Sequence, residues 1–382
     1  MIQKRKNVLL VRNAEFKDFG GGERFPVLLA EILNKYGYAS YVASRSPLVL
    51  NFASNKSIKT IKGWWWKRQN WSGLRVTLTP FYFLWQLILF FWYIYIVVKN
   101  KVSILHLQGK DDFIAGTIAG KLLRKKVIWT DHADLKHLFN NLYVWYKNPI
   151  GKAVYLCGLM ADSIVIVSQN EYQLIFNKIK SNNRLKNKIE LIYNGVSDSK
   201  YKYHKKSNKL TTFGLATRLV VDKGFSEAIE AFNQLSAKYE DVLMKIIGDG
   251  PDSKMFKKQA KNNKKIIFTG HIDDPYSEIL NLDIFMHPTY HESFSMSIVE
   301  ASMLALPIIA TRVGGNPEII IDHKTGLLVD VKDVKSLYSA MEELYLDKKL
   351  RSKLAKEARK QYLEKFNFDD IVKNQYIPLY EK

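Results

Sequence analysis

Short apolar runs, separated by segments with helical periodicity, recur along the chain and constrain its fold more than any other feature. In the first half these runs lie at 8–11, 41–43, 104–107, 127–130, 163–167 and 189–192. In the second half they lie at 212–215, 243–247, 266–269, 284–286 and 307–310. Buried strands of a parallel sheet read as continuous apolar runs, and crossover helices join them. The pattern therefore predicts an α/β protein.

A polar, basic segment without periodicity at 199–209 separates the two series of runs. Since 382 residues exceed what one compact core usually holds, we expect two doubly wound domains, at 1–205 and 210–365. A last helix is expected within 366–382. In the first domain a glycine-rich turn at 20–22 is predicted to precede a helix over 25–33. Such sheets bind ligands at the carboxyl ends of their strands.

Positive charge is concentrated in the N-terminal half. Residues 1–209 contain 34 Lys and Arg against 12 Asp and Glu, a net charge of +22, whereas the whole chain carries +21. No acidic residue lies between Glu31 and Asp111, although this interval contains 11 Lys and Arg. The asymmetry predicts a polyanionic partner, either nucleic acid or an anionic membrane.

The same interval contains a tryptophan cluster that begins at Trp64, followed by residues 81–98, whose only clearly polar side chain is Gln86. At about 1.5 Å per residue a helix of this length reaches roughly 27 Å, just short of the hydrocarbon core. It could lie in the membrane interface, be a buried crossover helix, or span the bilayer. A spanning helix would separate flanking strands of one sheet, so contact with an anionic membrane surface is favoured.

The cysteine content and the N-terminus bear on the compartment. Cys157 is the single cysteine, which argues against a disulfide framework, and no zinc-like Cys/His cluster is visible. The apolar run at 8–11 is too short for a signal peptide. We therefore expect a cytoplasmic protein, peripheral on the inner face of the plasma membrane.

Three segments of the second half are suited to a diphosphate ester. Arg218 and Lys223 bracket a loop after the run at 212–215, and such cations can stabilise charge on a leaving diphosphate. Gly248 begins a Gly-Asp-Gly-Pro turn that permits close backbone approach, although a simple turn explains it as well. Isolated loop cations are more often solvated surface charges.

The third segment runs from His291 to Glu300. Ser295 or Ser297 can cap a helix whose first-turn amides attract phosphate. Glu292 would then lie in the preceding loop, and Glu300 could bind two ribose hydroxyls. Two glutamates at this spacing also occur by chance in many proteins.

Taken in order, these segments resemble the retaining nucleotide-sugar glycosyltransferases of family 4, and the resemblance covers nearly the whole chain. Its signs are Gly21-Gly22-Glu23, Tyr193-Asn194-Gly195-Val196, Arg218 to Gly224, Gly248 to Pro251, His287-Pro288 through Glu292 to Glu300, Gly314 to Glu318, and Thr325 to Val329. The sequence departs from the family at Ala305, where glycine often precedes Leu-Pro. The resemblance implies the GT-B fold, with two Rossmann-like doubly wound parallel-sheet domains facing a central cleft. It also implies that the N-terminal domain faces the acceptor and that the helix within 366–382 packs back on that domain.

The resemblance also implies residue roles. Arg218 and Lys223 would contact the donor diphosphate, Glu292 the transferred sugar, and Glu300 the ribose. His132, which alone would more often be structural, matches a family histidine near the reaction centre. The remaining implied donor contacts are with Gly21, Gly22, Gly248, Phe294, Ser295, Met296 and Ser297.

The implied reaction is transfer with retention from a nucleotide-diphosphate sugar to an acceptor hydroxyl, assisted by the leaving phosphate. No Asp-x-Asp motif is present, so we expect no metal and no cofactor beyond the sugar nucleotide. The basic, aromatic first domain points to a lipid-linked or cell-surface glycan precursor as acceptor. The alternatives are a nucleotide-sugar epimerase or a glycogen-type synthase of the same fold, and a basic nucleic-acid-binding protein, which leaves the second-half motifs unexplained.

Overall fold

The computed structural model describes residues 6–14, 20–64, 79–132, 135–140, 148–179, 182–198, 210–272 and 275–382. The chain forms two compact units: an N-terminal unit of Met1–Ile192 with Asp370–Lys382, and a C-terminal unit of Tyr193–Asp369. The packing boundary thus falls before the expected one at 205. The expected linker at 199–209 lies outside the described residues.

In its described residues the N-terminal unit contains seven strands in one parallel sheet, in the order β3-β2-β1-β4-β5-β6-β7. The strands are β1 (Asn7–Val11), β2 (Ala39–Ser44), β3 (Lys59–Lys62), β4 (Ile104–Leu107), β5 (Lys126–Asp131), β6 (Ser163–Ile166) and β7 (Ile189–Leu191). The helices are α1 (Gly21–Lys35), α2 (Pro47–Asn55), α3 (Thr79–Lys99), α4 (Phe113–Leu122), α5 (Leu135–Leu138), α6 (Pro149–Met160), α7 (Gln169–Lys178) and α8 (Asn183–Lys186). The apolar runs place β1 and β4 in the centre; β4 is fully buried, and β1 is buried except at Asn7.

The C-terminal unit has six described strands in a second parallel sheet, in the order β10-β9-β8-β11-β12-β13. They are β8 (Thr211–Ala216), β9 (Val242–Ile247), β10 (Ile266–Gly270), β11 (Ile284–His287), β12 (Ile308–Thr311) and β13 (Leu327–Val329). The helices are α9 (Phe225–Lys238), α10 (Ser253–Gln259), α11 (Tyr276–Ile279), α12 (Met296–Met303), α13 (Asn316–Ile319), α14 (Val334–Leu346) and α15 (Lys348–Lys365). The α/β class and the parallel sheets predicted from the sequence are confirmed.

The helix that follows β1 begins earlier than predicted. Gly21 and Gly22 are its first residues, and Pro26 lies inside it. The carboxylate of Glu23 accepts a hydrogen bond of 3.0 Å from the amide of Gly20 and so satisfies a donor that a helix start leaves unpaired. The expected glycine-rich turn at 20–22 is therefore wrong for Gly21 and Gly22.

Helix α3 contains the apolar stretch 81–98 and is long and apolar enough to cross a membrane. Its inner face is buried, including Gln86, Leu89 and Tyr93. Its outer face is exposed: the exposed fractions of Phe91 and Leu84 are 61% and 57%. Helix α3 therefore packs against the unit as a crossover helix does, but only one of its faces is buried.

The end of the chain returns to the N-terminal unit. Helix α16 (Phe368–Ile371), a π-helical turn at Val372–Tyr376 and helix α17 (Ile377–Glu381) follow one another. The buried Tyr380 hydroxyl lies 2.6 Å from Nδ1 of His106, whose Nε2 lies 2.7 Å from the Thr130 hydroxyl. Burial, together with His132 nearby, lowers the pKa of His106 to about 3, so this histidine is neutral.

Candidate functional site

Two loops of the C-terminal unit meet because their strands are neighbours. Strands β8 and β11 pair in parallel, and the strand order reverses between them. At such a switch point the chain leaves the two adjacent strands towards opposite faces of the sheet, and a crevice that can hold a ligand lies between the two loops. The loop after β8 carries Arg218 and Lys223, and the loop after β11 carries Glu292 and leads into α12. Residues far apart in sequence are thereby placed at one sheet edge.

Lys223 and Glu292 form an ion pair at the centre of this site. The ammonium of Lys223 lies 3.0 Å from Oε2 of Glu292, and both side chains are mostly buried. Nε2 of His287 lies 3.4 Å from the same carboxylate oxygen and 3.1 Å from the hydroxyl of Ser295. A basic, an acidic and an imidazole side chain thus converge beside a hydroxyl.

The surroundings keep Glu292 ionised. Burial alone would raise the pKa of this carboxyl, but the hydrogen bond from His287 and the charge of Lys223 outweigh it and lower the pKa to about 2. An anionic carboxylate accepts hydrogen bonds and donates none. Glu292 is therefore suited to accepting hydrogen bonds from the hydroxyl groups of a sugar.

Ser295 is the N-cap of α12, as the sequence predicted for Ser295 or Ser297. Its hydroxyl accepts a hydrogen bond of 3.3 Å from the amide of Ile298. The Ser297 hydroxyl instead donates to the carbonyl of Ala216 at the end of β8, at 3.2 Å. The start of α12 is thereby fixed against the loop that carries the cations, where amides at a helix start favour an anion.

Glycines allow the Glu292 loop to pass close to other backbone. A Cβ on Gly224 would lie 1.9 Å from the carbonyl oxygen of Pro288, and one on Gly314 only 1.5 Å from that of Glu292. Both glycines have positive φ, of +71° and +50°. No other residue fits these two positions without moving the loop.

The other residues of this unit that were predicted to contact the nucleotide-sugar donor lie around the same loops. Glu300 lies in α12, where Oε1 accepts a hydrogen bond of 3.0 Å from the hydroxyl of Tyr276. The amide of Leu219, next to Arg218, donates to the carbonyl of Asp249. Gly248 has a φ of +125°, and a Cβ there would lie 2.5 Å from the carbonyl oxygen of Thr217. The loop of Arg218 and the turn of Gly248 therefore pack directly against each other.

Phe294 and Met296 flank the cap. The Phe294 side chain is buried and stacks on Tyr193 with ring centres 5.7 Å apart, so a ligand could use only its backbone. Met296 is the first residue of α12 and is half-buried.

Three predicted residues lie in the N-terminal unit. Gly21 and Gly22 open α1, where Glu23 pairs with Arg12 at 2.9 Å. A Cβ on Gly22 would lie 3.0 Å from the Arg12 guanidinium. His132 directly follows β5, is half-buried and has its ring centre 5.1 Å from that of Phe25 in α1. The first helix start and His132 are thus neighbours through Phe25.

No role was predicted for His287 or Tyr276, whose side chains contact Glu292 and Glu300. The sequence signal that could have pointed to His287 is its position at the end of an apolar run. Tyr276 lies on a helix of four residues, and no sequence pattern marks it. Within the described ranges no cluster of three or more His, Cys, Asp or Glu side chains could hold a metal ion.

Solved structures share this architecture over nearly the whole chain. A glycosyltransferase from Rickettsia africae aligns with a TM-score of 0.77 at 19% identity, covering 99% of this chain and 98% of the other. Anabaena HepE, solved in complex with UDP and glucose, aligns with a TM-score of 0.75 at 18% identity, covering 98% and 99%. Together with the two parallel sheets, these alignments define the GT-B fold.

Sequence comparison identifies the family. A model of the group 1 glycosyl transferases matches residues 197–361, and a model of glycosyltransferase family 4 matches residues 19–200. The capsular polysaccharide biosynthesis glycosyltransferase CapM of Staphylococcus aureus is 29% identical over 224 residues, which are 54% of this chain and 58% of CapM. The chain belongs to the group 1, family 4-type glycosyltransferases.

Proposed function

We propose that this glycosyltransferase moves a sugar from a nucleotide-diphosphate donor to a hydroxyl of a lipid-linked or cell-surface glycan precursor. The observation that carries the proposal is the Lys223–Glu292 pair beside the capped start of α12. It puts a cation and helix amides, which suit a diphosphate, next to an ionised carboxylate, which suits a sugar. The UDP and glucose bound by HepE and the capsular polysaccharide role of CapM agree with this assignment.

Donor binding exchanges the partners of the ion pair. The diphosphate competes with Glu292 for the ammonium of Lys223 and is also bound by Arg218 and the first amides of α12. Glu292 is then available to the hydroxyls of the transferred sugar, while His287 still holds its carboxylate. Glu300 binds the ribose, and the hydroxyl of Tyr276 orients it.

The reaction breaks the bond between the anomeric carbon and the diphosphate oxygen, and that oxygen keeps the electron pair. The acceptor oxygen forms its bond to the same face of the sugar and gives its proton to the leaving phosphate, so configuration is retained. Lys223, Arg218 and the helix amides stabilise the charge that grows on the diphosphate. The roles implied for Gly21, Gly22 and His132 stay predictions.

Because these cations neutralise the leaving group, we propose that no divalent metal or other cofactor is required. EDTA should leave turnover unchanged. Strong inhibition by EDTA that Mn²⁺ or Mg²⁺ reverses would refute this part. We place the enzyme in the cytoplasm, peripheral on the inner face of the plasma membrane, where lipid-linked acceptors are found.

Thermal stabilisation by a panel of nucleoside diphosphates and their sugars tests the donor site, because a ligand that binds only the folded state raises the melting temperature. One nucleotide should stabilise the wild type and fail to stabilise Lys223→Met. Incubation of that donor with lipid extracts, followed by NMR of the product, should give a retained anomeric linkage. An altered free nucleotide sugar without acceptor would instead indicate an epimerase.

A further inference from the structure

The outer surface of helices α3, α4 and α6 is apolar. From residue 84 to residue 98 the exposed apolar side chains of α3 all lie on one face of the helix and form one stripe: Leu84, Leu87, Ile88, Phe91, Tyr95 and Val98. We call these six residues the outer stripe. A soluble surface rarely exposes so continuous an apolar row unless it binds something.

The two neighbouring helices extend the outer stripe. Helix α4 packs against α3 on one side and against α6 on the other. Ile118 and Leu122 are exposed on α4, and Leu156 and Met160 are exposed on α6. A continuous layer of three helices thus presents apolar side chains on its outward side.

Polar contacts hold α3 to the rest of the unit. The buried Tyr93 hydroxyl donates to Asp112 at 2.7 Å, and the Gln86 amide donates to the carbonyl of Asp111 at 2.9 Å. The Gln86 oxygen accepts from the amide of Ala115 at 3.1 Å. Withdrawing α3 to cross a bilayer would break all three bonds and place Gln86 in hydrocarbon, which is costly.

The positive charge around the outer stripe indicates which partner this surface binds. Lys99, Lys101 and Arg124 are exposed where α3 and α4 end. The Lys99 ammonium lies 2.9 Å from the Tyr95 hydroxyl, an arrangement in which an apolar stem carries its charge to an interface. No acidic residue lies on α3 or anywhere from 32 to 110. Two copies of this face would repel each other, whereas anionic headgroups would be attracted.

We infer that α3 lies lengthwise in the headgroup layer of an anionic bilayer, with its outer stripe and the exposed residues of α4 and α6 reaching the acyl chains, and does not span. The inference rests on the membrane location proposed above. Its test uses no donor or acceptor, so it can fail while the proposed transferase activity stands.

Flotation of the full chain with vesicles provides the test. Vesicles of phosphatidylcholine with about a third phosphatidylglycerol should carry the protein, and pure phosphatidylcholine should carry much less. Leu84→Glu with Phe91→Glu should lower the bound fraction about tenfold or more. The matched control is Leu346→Glu with Leu363→Glu, which adds the same charge at exposed leucines of α14 and α15 and should bind as the wild type does. Lys99→Gln with Lys101→Gln should weaken binding to the vesicles that contain phosphatidylglycerol by about fivefold for each lysine. Binding to pure phosphatidylcholine should not change.

Three results would overturn the inference. The first is a wild type that floats with neither vesicle. The second is resistance of the bound protein to alkaline carbonate, because a helix lying in the interface is released and a spanning one is not. The third is a dimer in lipid-free solution, measured by light scattering, that the stripe variant dissociates while flotation is unchanged. Circular dichroism melting of each variant separates lost binding from lost folding.

Discussion

The ammonium of Lys223 lies 3.0 Å from the carboxylate of Glu292, although 69 positions separate the two residues. The contact exists because β8 and β11 are adjacent at the point where the strand order reverses. Each residue comes from the loop that leaves one of those strands.

Replacing Lys223 by methionine should lower kcat/KM about 100-fold, since the charge that we propose stabilises the leaving diphosphate is lost. The assay is initial-rate kinetics with the donor that the thermal panel identifies. Lys238→Met is the control, because Lys238 pairs with Glu342 at 2.8 Å on α9 and α14. A similar loss in both variants would mean that Lys223 matters only for folding.

Glu300→Gln should raise the KM for the donor about tenfold and change kcat less, because the proposed ribose contact would stabilise the bound donor and the transition state equally. Tyr276→Phe should raise the same KM more modestly, as its hydroxyl orients Glu300. Tyr338→Phe removes a comparable bond to Glu342 of 2.6 Å and should leave the kinetics unchanged. An unaltered KM in Glu300→Gln would remove this glutamate from the donor site.

Alanine at Gly314 or Gly224 should cost about 3 kcal/mol or more of unfolding free energy, because its Cβ meets the Glu292 loop backbone. Gly37→Ala is the matched control. Gly37 also has positive φ, at +87°, but nothing lies within 4 Å of its Cβ position, so only the backbone cost of about 1 kcal/mol applies. Urea unfolding followed by circular dichroism measures both, and equal losses would contradict the close approach.

Ala305→Gly should stabilise the protein by about 1 kcal/mol without changing kcat. Ala305 has a φ of +55° just after α12, where glycine commonly ends a helix. The same unfolding experiment measures the gain. A loss of stability would show that this alanine side chain contributes more packing than its backbone costs.

The low pKa of Glu292 predicts how stability depends on pH. The unfolded carboxyl takes up a proton near its usual pKa of 4.5, whereas the folded one does so only near 2. The stabilisation is therefore complete above 4.5 and is lost as the pH falls towards 2. Between about pH 6 and pH 3.5 the contribution should fall by about 1 kcal/mol. Glu292→Gln should lose this part of the slope, and Glu343→Gln, at an exposed site on α14, should keep it.

The parallel sheets could be predicted because buried strands need continuous apolar residues. Every predicted run overlaps an observed strand. The strand at Lys59–Lys62 has no such run, since it lies at an exposed sheet edge. No run was predicted at Leu327–Val329, a strand of three residues at the edge of the second sheet.

The candidate site was only partly visible in the sequence. Ordered motifs predicted Arg218, Lys223, Glu292 and Glu300, but pairing of Lys223 with Glu292 depends on strand order, which no local pattern encodes. The helix was predicted to start at Phe25 because its apolar periodicity begins there. The structure starts that helix at Gly21, since the Glu23 carboxylate satisfies the Gly20 amide.

The return of Asp370–Lys382 to the N-terminal unit sets an order of assembly during synthesis. When the ribosome has made the seven strands of the first sheet, the Tyr380 hydroxyl that lies against His106 does not yet exist. The core of the N-terminal unit is therefore completed only when the last residues of the chain have been synthesised. By then the whole C-terminal unit has already been translated.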